Sequence, residues 1–464
     1  MQRLSVSRTS AMNWLRKASF LGRVAFHAYE LKRRQRLEPD KIRRQQDRDL
    51  RNMVRFAFEK VRMYRDKYRS KGIDPRDIRT LDDLVKLPLI TKNDLLNYWP
   101  DGLLPLGTDP ADAVVLQTSG STGTPISIYH DVLGSLPCFA LQWRIVDALG
   151  VRLRKDRIAT ILDVGGSSMV LEEKVMSYLP LLTNRRLVLP VSMRLEEIAG
   201  KLEEFRPDLL MSYAGVLRGL ASLKKKGCMP GVRPRIMASS AEVLDPYTRS
   251  YIEESFQSPV FDVYGSTEGW IVAFECKHHT GMHINHDISH VEILDENGKK
   301  CPPGVPGTVA ITRLIGQGTP MIRYIGTGDV ATMLEGECAC GRSLPRLAHL
   351  EGRRVDSIKR ADGRLFHAFS FTDPLRGILL NAPAFQVQQF QIVQESLDRI
   401  RVLLVENEER PVNGTLRREL DQKICKVYGE LMGPDVRIEV EHADKIPTGP
   451  RTSSPTPVVI SRVH

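Results

Sequence analysis

A chain of 464 residues with 42% hydrophobic and 27% charged residues has ordinary globular composition, which excludes a disordered or collagen-like molecule and leaves room for two to four domains. The net charge of +11 is unevenly placed: residues 1–80 hold 23 Lys and Arg against nine Asp and Glu, and the rest holds 44 against 47. No run of about 18 apolar residues occurs, the start lacks an apolar signal core, and seven scattered cysteines fit reduced thiols, so a soluble cytoplasmic protein is expected.

In chain order, helical spacing comes first. Leu50, Met53, Val54, Phe56, Ala57, Val61 and Tyr64 recur among basic residues in a pattern running from about Arg16 to Ser70, and Gly72 and Pro75 stop it. Residues 80–98 read as a short helix, an extended LPLI stretch and a second helix capped by Thr91 with Asp94 three residues on. From Ala111, the β-rich runs AVVLQT, RIATILDV, RRLVLPV, PDLLMSY, RPRIMAS and SPVFDVY alternate with helical stretches, which predicts an α/β core of buried strands. His290–Leu314 has strands, an Asn-Gly turn and a Gly/Pro-rich loop without a helix, so a smaller β subdomain is expected there. Beyond about Arg354, strands surround one long helix at 414–431, a small α+β unit. The expected division is a basic helical segment at 1–108 packed on the core, a core at 109–352, and a C-terminal unit at 353–464.

The strongest local signal is Gln117–Asp131, QTSGSTGTPISIYHD. Its small hydroxyl residues and glycines let backbone N–H groups close on a polyphosphate, although a Ser/Thr/Gly loop without a ligand has the same composition. It is neither a Walker A loop nor a GxGxxG turn.

TSGSTGTP resembles the phosphate loop of the adenylate-forming superfamily, the acyl-CoA synthetases and their relatives. VYGSTEG (Val263–Gly269) and RYIGTGDVA (Arg323–Ala331) resemble two further signatures of that superfamily, in the same order. The phrase YRDKYRSKGIDP…LDDLVKLPLITKNDL and the later EGRRVDSI are most similar to its phenylacetate-CoA ligase-like branch, which includes relatives in capsule biosynthesis. The resemblance implies an α/β adenylate-forming fold with a mobile C-terminal lid. It also implies ATP-dependent conversion of a carboxylic acid to an acyl-adenylate, then transfer to CoA or another thiol or amine.

Residue roles follow from the same resemblance. Ser119, Gly120, Ser121, Thr122, Gly123 and Thr124 would hold the β- and γ-phosphates, and Ser240, Ala241 and Glu242 would form the adenine turn. Tyr264, beside Gly265, would stack on adenine, Thr267 would bond the α-phosphate, and Glu268 would ligate Mg²⁺, a hard ion suited to carboxylate oxygen. Asp329 would accept from the ribose hydroxyls, Arg353 would reach ribose or phosphate, and Asp356 would be the lid pivot, with Arg354 leaving that register uncertain by one. Tyr213, Gly215 and Trp270 flank the acyl pocket; Trp270 either caps the acyl group or packs behind the Tyr264 loop.

One departure concerns the lid. Relatives end in a segment like P-R-T-x-S-G-K before a final strand, and aligning VVISRV puts Ser453, Ser454 and Pro455 where S-G-K is expected. Loss of that lysine removes positive charge from an anionic transition state. Either Lys445 or Arg451 substitutes, or adenylation is weakened; a nucleotide- or acyl-adenylate-binding protein without efficient turnover is the alternative function. Separately, Cys276, His283, Cys338 and Cys340 form a donor set suited to tetrahedral structural Zn²⁺, and some phenylacetate-CoA ligase-like relatives carry a similar set; His278, His279 and His286 are alternative ligands. The basic N-terminus suits an anionic membrane surface, an acyl carrier protein or a second subunit in a homodimer, whereas no nucleic-acid module accompanies it.

Overall fold

The structure is a computed structural model that describes residues 22–109, 113–117, 126–130, 136–152, 155–162, 185–316, 318–353, 357–366, 371–372, 374–375, 378–379, 387–406, 414–444, 446 and 459–463. Residues 22–70 fold as three helices: α1 (22–34), α2 (Pro39–Lys60) and α3 (Arg62–Ser70). The helical periodicity is therefore interrupted twice. Pro39 starts α2 in the first-turn position that proline tolerates, and Val61 is extended at φ −117° and ψ 118°. At the second break the chain 102–106 takes over backbone bonding, with Leu106 N–H donating to Lys60 O at 2.7 Å and Met63 N–H to Gly102 O at 3.1 Å. Ile42, Gln46, Leu50, Met53, Val54 and Ala57 make the buried stripe of α2.

After α4 (Lys92–Tyr98), whose Thr91/Asp94 capping box is formed, β1 (Val114–Gln117) and β2 (Ser127–His130) pair as an antiparallel hairpin on either side of the predicted phosphate loop. The core follows as α5 (Leu136–Ala148), β3 (Ile158–Leu162), β4 (Arg186–Pro190), α6 (Leu195–Phe205), β5 (Leu209–Ser212), α7 (Ala214–Lys225), β6 (Ile236–Ser240), α8 (Pro246–Phe256) and β7 (Val260–Ser266). It continues through β8 (Trp270–Glu275), β9 (Met282–Ile284), β10 (Ser289–Leu294), β11 (Pro306–Arg313), β12 (Asp329–Leu334) and β13 (Arg346–Arg353).

Strands β3 to β13 form one sheet in the order β10-β11-β12-β13-β9-β8-β7-β6-β5-β3-β4. From β4 to β7 it is parallel, and from β7 to β10 antiparallel. The β-only stretch is thus joined to the core by ladder hydrogen bonds; it is the antiparallel half of the same sheet and not a sheet set apart. Strand β7 is the seam, parallel to β6 on one edge and antiparallel to β8 on the other.

After the short pair β14 (Ile358–Lys359) and β15 (Leu365–Phe366), the C-terminal unit comprises β16 (Val387–Ser396), β17 (Arg399–Glu406), α9 (Gly414–Met432), β18 (Arg437–His442) and β19 (Val459–Ser461), with sheet order β18-β17-β16-β19. Its apolar cluster packs α9 residues Leu420, Ile424 and Tyr428 on Phe390, Ile392 and Val402, and it takes in Tyr247 from the core.

The N-terminal helices share a core with the chain leading to β12. Leu50, Val54, Tyr64 and Tyr68 lie in one cluster with Met321, Ile322 and Tyr324. Tyr64 donates to Pro320 O at 2.8 Å and accepts from Ile322 N–H at 3.1 Å. Farther up, Arg144 donates to Leu31 O of α1 at 2.7 Å and pairs with Asp287 at 2.7 Å, both side chains buried.

Candidate functional site

The parallel strands β5, β6 and β7 are adjacent, and their C-terminal ends carry three of the predicted segments: Tyr213 and Gly215 after β5, Ser240–Glu242 at β6, and Tyr264–Glu268 at β7. This is the edge at which open α/β sheets bind ligands. Residues Thr267, Glu268 and Gly269 form the turn from β7 to β8, closed by Gly269 N–H donating to Ser266 Oγ at 2.9 Å. Gly265 is required there, because a Cβ would lie 2.9 Å from Trp270 O.

The second signature reaches the same place from the other half of the sheet. Tyr264 Oη donates to Asp329 Oδ2 at 2.7 Å, across 65 residues of sequence. Asp329 starts β12 directly opposite Arg353, the last residue of β13, and the guanidinium Nε lies 3.8 Å from Oδ1. Tyr324 Oη donates to Glu268 Oε1 at 3.2 Å. Tyr324 is itself fixed by its neighbour Arg323, which holds φ at 48° and grips Glu292 with Nε and Nη2 at 3.1 and 3.2 Å.

The electrostatics follow from burial. Asp329 and Glu268 are pushed above the ordinary carboxyl range, in each case chiefly by desolvation, and the proximity of Asp329 raises Glu268 further. Tyr264 Oη is held protonated, well above its usual range, by burial and by the Asp329 charge. Glu242 is pushed up to about 7 by desolvation; its Oε2 accepts from Gly215 N–H at 2.7 Å, and its enclosed Oε1 has no partner among the described residues. Burial disfavours the charged form of each of these carboxyls, and at Asp329 the Arg353 guanidinium offsets part of that cost; the carboxylate of Glu268 has the hard oxygen donors expected of an Mg²⁺ ligand.

The surroundings of two further predicted residues are defined. Ala241, in the turn after β6, is exposed and lies in the left-handed region at φ 64°. Trp270 is half-buried, with its ring edge-on to His130 at 5.0 Å and packed against the clusters of α1, α5 and the N-terminal helices. Ser119–Thr124, Arg354, Asp356, Lys445, Arg451 and Ser453–Pro455 lie outside the described residues. The strand used to align the lid terminus is formed: β19 pairs in parallel with β16, Ile392 opposite Val459. Sequence reading missed the Tyr324–Glu268 bond and the Gly215–Glu242 bond; the Gly-rich run after Tyr324 was the available signal for the first.

The cysteine–histidine set is brought together. The Cys276, Cys338 and Cys340 sulfurs and a His283 ring nitrogen all lie within 4.8 Å of one another. Cys276 and Cys338 sulfurs are 3.7 Å apart, and Cys340 Sγ is 3.3 Å from His283 Nε2. Tetrahedral zinc–thiolate bonds of about 2.3 Å place two sulfurs about 3.8 Å apart, so the donor set fits. The alternative ligand His279 instead faces Glu275 and stacks on Phe261, and neither it nor His278 or His286 belongs to the cluster.

The pattern of the AMP-binding enzyme family matches residues 42–314. The chain belongs to that family. Four phenylacetate-coenzyme A ligases are similar to it; those of Thermus thermophilus and Pseudomonas putida are each 28% identical and are aligned over 69% of this chain and 72% of theirs. Together with the fold, these relatives place this family member in the adenylate-forming superfamily, in its phenylacetate-CoA ligase-like branch, and make it an enzyme. The 2-hydroxyisobutyryl-CoA ligase in its postadenylation state, complexed with R3-HIB-AMP, superposes with a TM-score of 0.76 at 19% identity, covering 93% of this chain and 92% of that one. The same ligase in its thioesterification state gives 0.60 at the same coverage. Both superpositions show that the chain shares the fold of that ligase.

Proposed function

We propose that this enzyme activates a carboxylic acid with ATP and passes the acyl group to CoA. The observation that supports the reading best is the Tyr264–Asp329 hydrogen bond, which unites two distant signatures at the ligand edge of the sheet. In the first step a carboxylate oxygen attacks the α-phosphorus and pyrophosphate leaves; in the second the CoA thiol sulfur attacks the acyl carbon, AMP leaves and the thiol proton is released. Asp329 orients the ribose, Tyr264 holds one Asp329 oxygen in place, and Thr267 bonds the α-phosphate. Glu268 would hold Mg²⁺, which supplies charge screening between two anions. Ser119–Thr124 serve the outer phosphates and Asp356 the lid pivot. The named activity of the relatives makes an arylacetic acid the first substrate to try. A binding protein without turnover is not favoured, because the relatives are ligases; the absent lid lysine bears on rate, with Arg451 or Lys445 as the substitute cation.

The test is a carboxylate panel assayed for pyrophosphate release with and without CoA. Acid-dependent pyrophosphate release, with thioester formed only when CoA is present, is expected. ATP binding without pyrophosphate release for every acid would overturn the reading.

We also propose structural zinc at Cys276, His283, Cys338 and Cys340. Nδ1 of His283 lies 3.5 Å from Leu344 O, which leaves Nε2 toward the ion. About one equivalent of zinc in purified protein supports the site, and less than about half an equivalent removes it. A cytoplasmic location, a carrier-protein acceptor and a homodimer rest on the sequence expectations alone.

A further inference from the structure

Helix α1 presents two opposite faces. Val24, Leu31 and Gln35 are buried against the body, and Arg144 fixes the helix there through Leu31 O. Gln35 adds a second anchor, accepting from Arg342 Nε at 2.9 Å through its side chain and from Ser343 N–H at 3.0 Å through its carbonyl. At 100° per residue, Phe26, Tyr29 and Arg33 fall on the far side. Phe26 is 60% and Tyr29 66% exposed, a turn apart, and they are among the few large apolar side chains that the described residues leave in water.

The charge around this face is predominantly positive, with Arg33 paired to Glu30 at 3.1 Å. Residues 1–37 carry nine Lys and Arg and a single acidic residue, Glu30. Arg23, Arg33 and Arg36 are exposed on α1 and the turn after it, while the body of the protein is slightly acidic. A solvated helix face explains the arginines and leaves the two aromatic rings unexplained.

We propose that α1 is a docking face for an anionic lipid bilayer. Phe26 and Tyr29 enter the headgroup boundary, where aromatic rings are favoured, and Arg23, Arg33 and Arg36 meet lipid phosphates. A bilayer is the one anionic partner that rewards both halves of this face. A nucleic acid or an acidic protein would use the charge and leave Phe26 in water or require a specific pocket for it. Because α1 is fixed by Arg144 and Gln35, the enzyme would lie on the membrane in one orientation and not swing on a tether.

Full-length protein is tested by flotation with phosphatidylcholine vesicles and with vesicles containing about one third phosphatidylglycerol. Binding to the anionic vesicles at least tenfold above the neutral ones, falling steeply as salt rises from about 0.1 to 0.5 M, is expected. Phe26→Ala with Tyr29→Ala should lower that binding at least tenfold at constant charge, and Arg33→Glu with Arg36→Glu should abolish it. Both double variants should keep the parent melting temperature and pyrophosphate release, since no altered side chain is buried or in the site. Equal binding to neutral vesicles, or unchanged binding of the aromatic double variant, overturns the proposal. Displacement from vesicles by duplex DNA at equal phosphate concentration overturns it in favour of a nucleic acid.

Discussion

Asp262 sits mid-strand on β7 with its carboxyl buried and Glu275 nearby, and desolvation, followed by that neighbouring charge, pushes it up to about 7. Glu275 is kept ionised by its hydrogen bonds and by Arg249 at 2.8 Å, so the pair has one proton to hold. A carboxyl whose folded pKa lies above its unfolded value near 3.8 binds its proton more tightly when folded. Its stabilising contribution is complete below pH 4 and is lost as pH rises through 7. Between pH 5 and 8 the parent protein should lose on the order of 2–4 kcal/mol that Asp262→Asn, neutral throughout, retains. Denaturant midpoints of both proteins at the two pH values check this, and parallel pH slopes would refute it. At this scale the sequence exposed chemistry but not partners. Tyr264, Glu268 and Asp329 stood out because glycines and hydroxyl residues frame them. The Arg144–Asp287 and Arg323–Glu292 pairs have no local signature, since nothing in a window of residues reveals a partner 143 or 31 positions away.

Among elements, the narrowest joint in the large sheet is between β9 and β13. Strand β9 has three residues, and only His283 and Met282 pair with Arg346 and Leu347. Every ladder path from Tyr264 on β7 to Asp329 on β12 crosses this joint, and the cysteine–histidine cluster sits over it: His283 is on β9, Cys276 follows β8, and Cys338 and Cys340 precede β13. Zinc would staple the joint. Chelation should therefore raise KM for ATP at least several-fold at temperatures where the protein stays folded, before any loss of secondary structure. Unchanged KM after complete metal removal would show that the ladder alone holds the register. The β-rich runs and the α+β unit were readable from periodicity, because buried parallel strands are short and continuously apolar. The joining of the β-only stretch to the core was not, since its three-residue link is too short to carry a pattern. The break at Val61 was hidden for a different reason: bonds from residues 102 and 106, not the local sequence, end α2.

At the scale of the whole molecule, the resemblance implies a core with a C-terminal lid, but nothing in the local sequence shows how the two meet. They meet around Tyr247. Its ring lies in the C-terminal apolar cluster 5.9 Å from Phe390, and its hydroxyl donates to Val387 O at 2.5 Å. Arg218 lies beneath, its guanidinium carbon 5.6, 5.9 and 6.0 Å from the rings of Tyr247, Tyr251 and Phe390, and its Nε and Nη2 have no acceptor among the described residues. Separating the two units would wet the rings of Tyr247 and Phe390 and open a way for water to Arg218. A movement of the C-terminal unit between the two half-reactions, as the mobile lid implied by the resemblance would make, is on this account accompanied by uptake of water at the seam. Raising the osmotic pressure with betaine should slow acyl transfer relative to adenylate formation, by a factor that a polymer of equal viscosity does not reproduce. Equal slowing of both half-reactions would mean that the seam stays dry throughout. Cellular water activity, and not only the supply of acid and CoA, would then help set the pace of this enzyme.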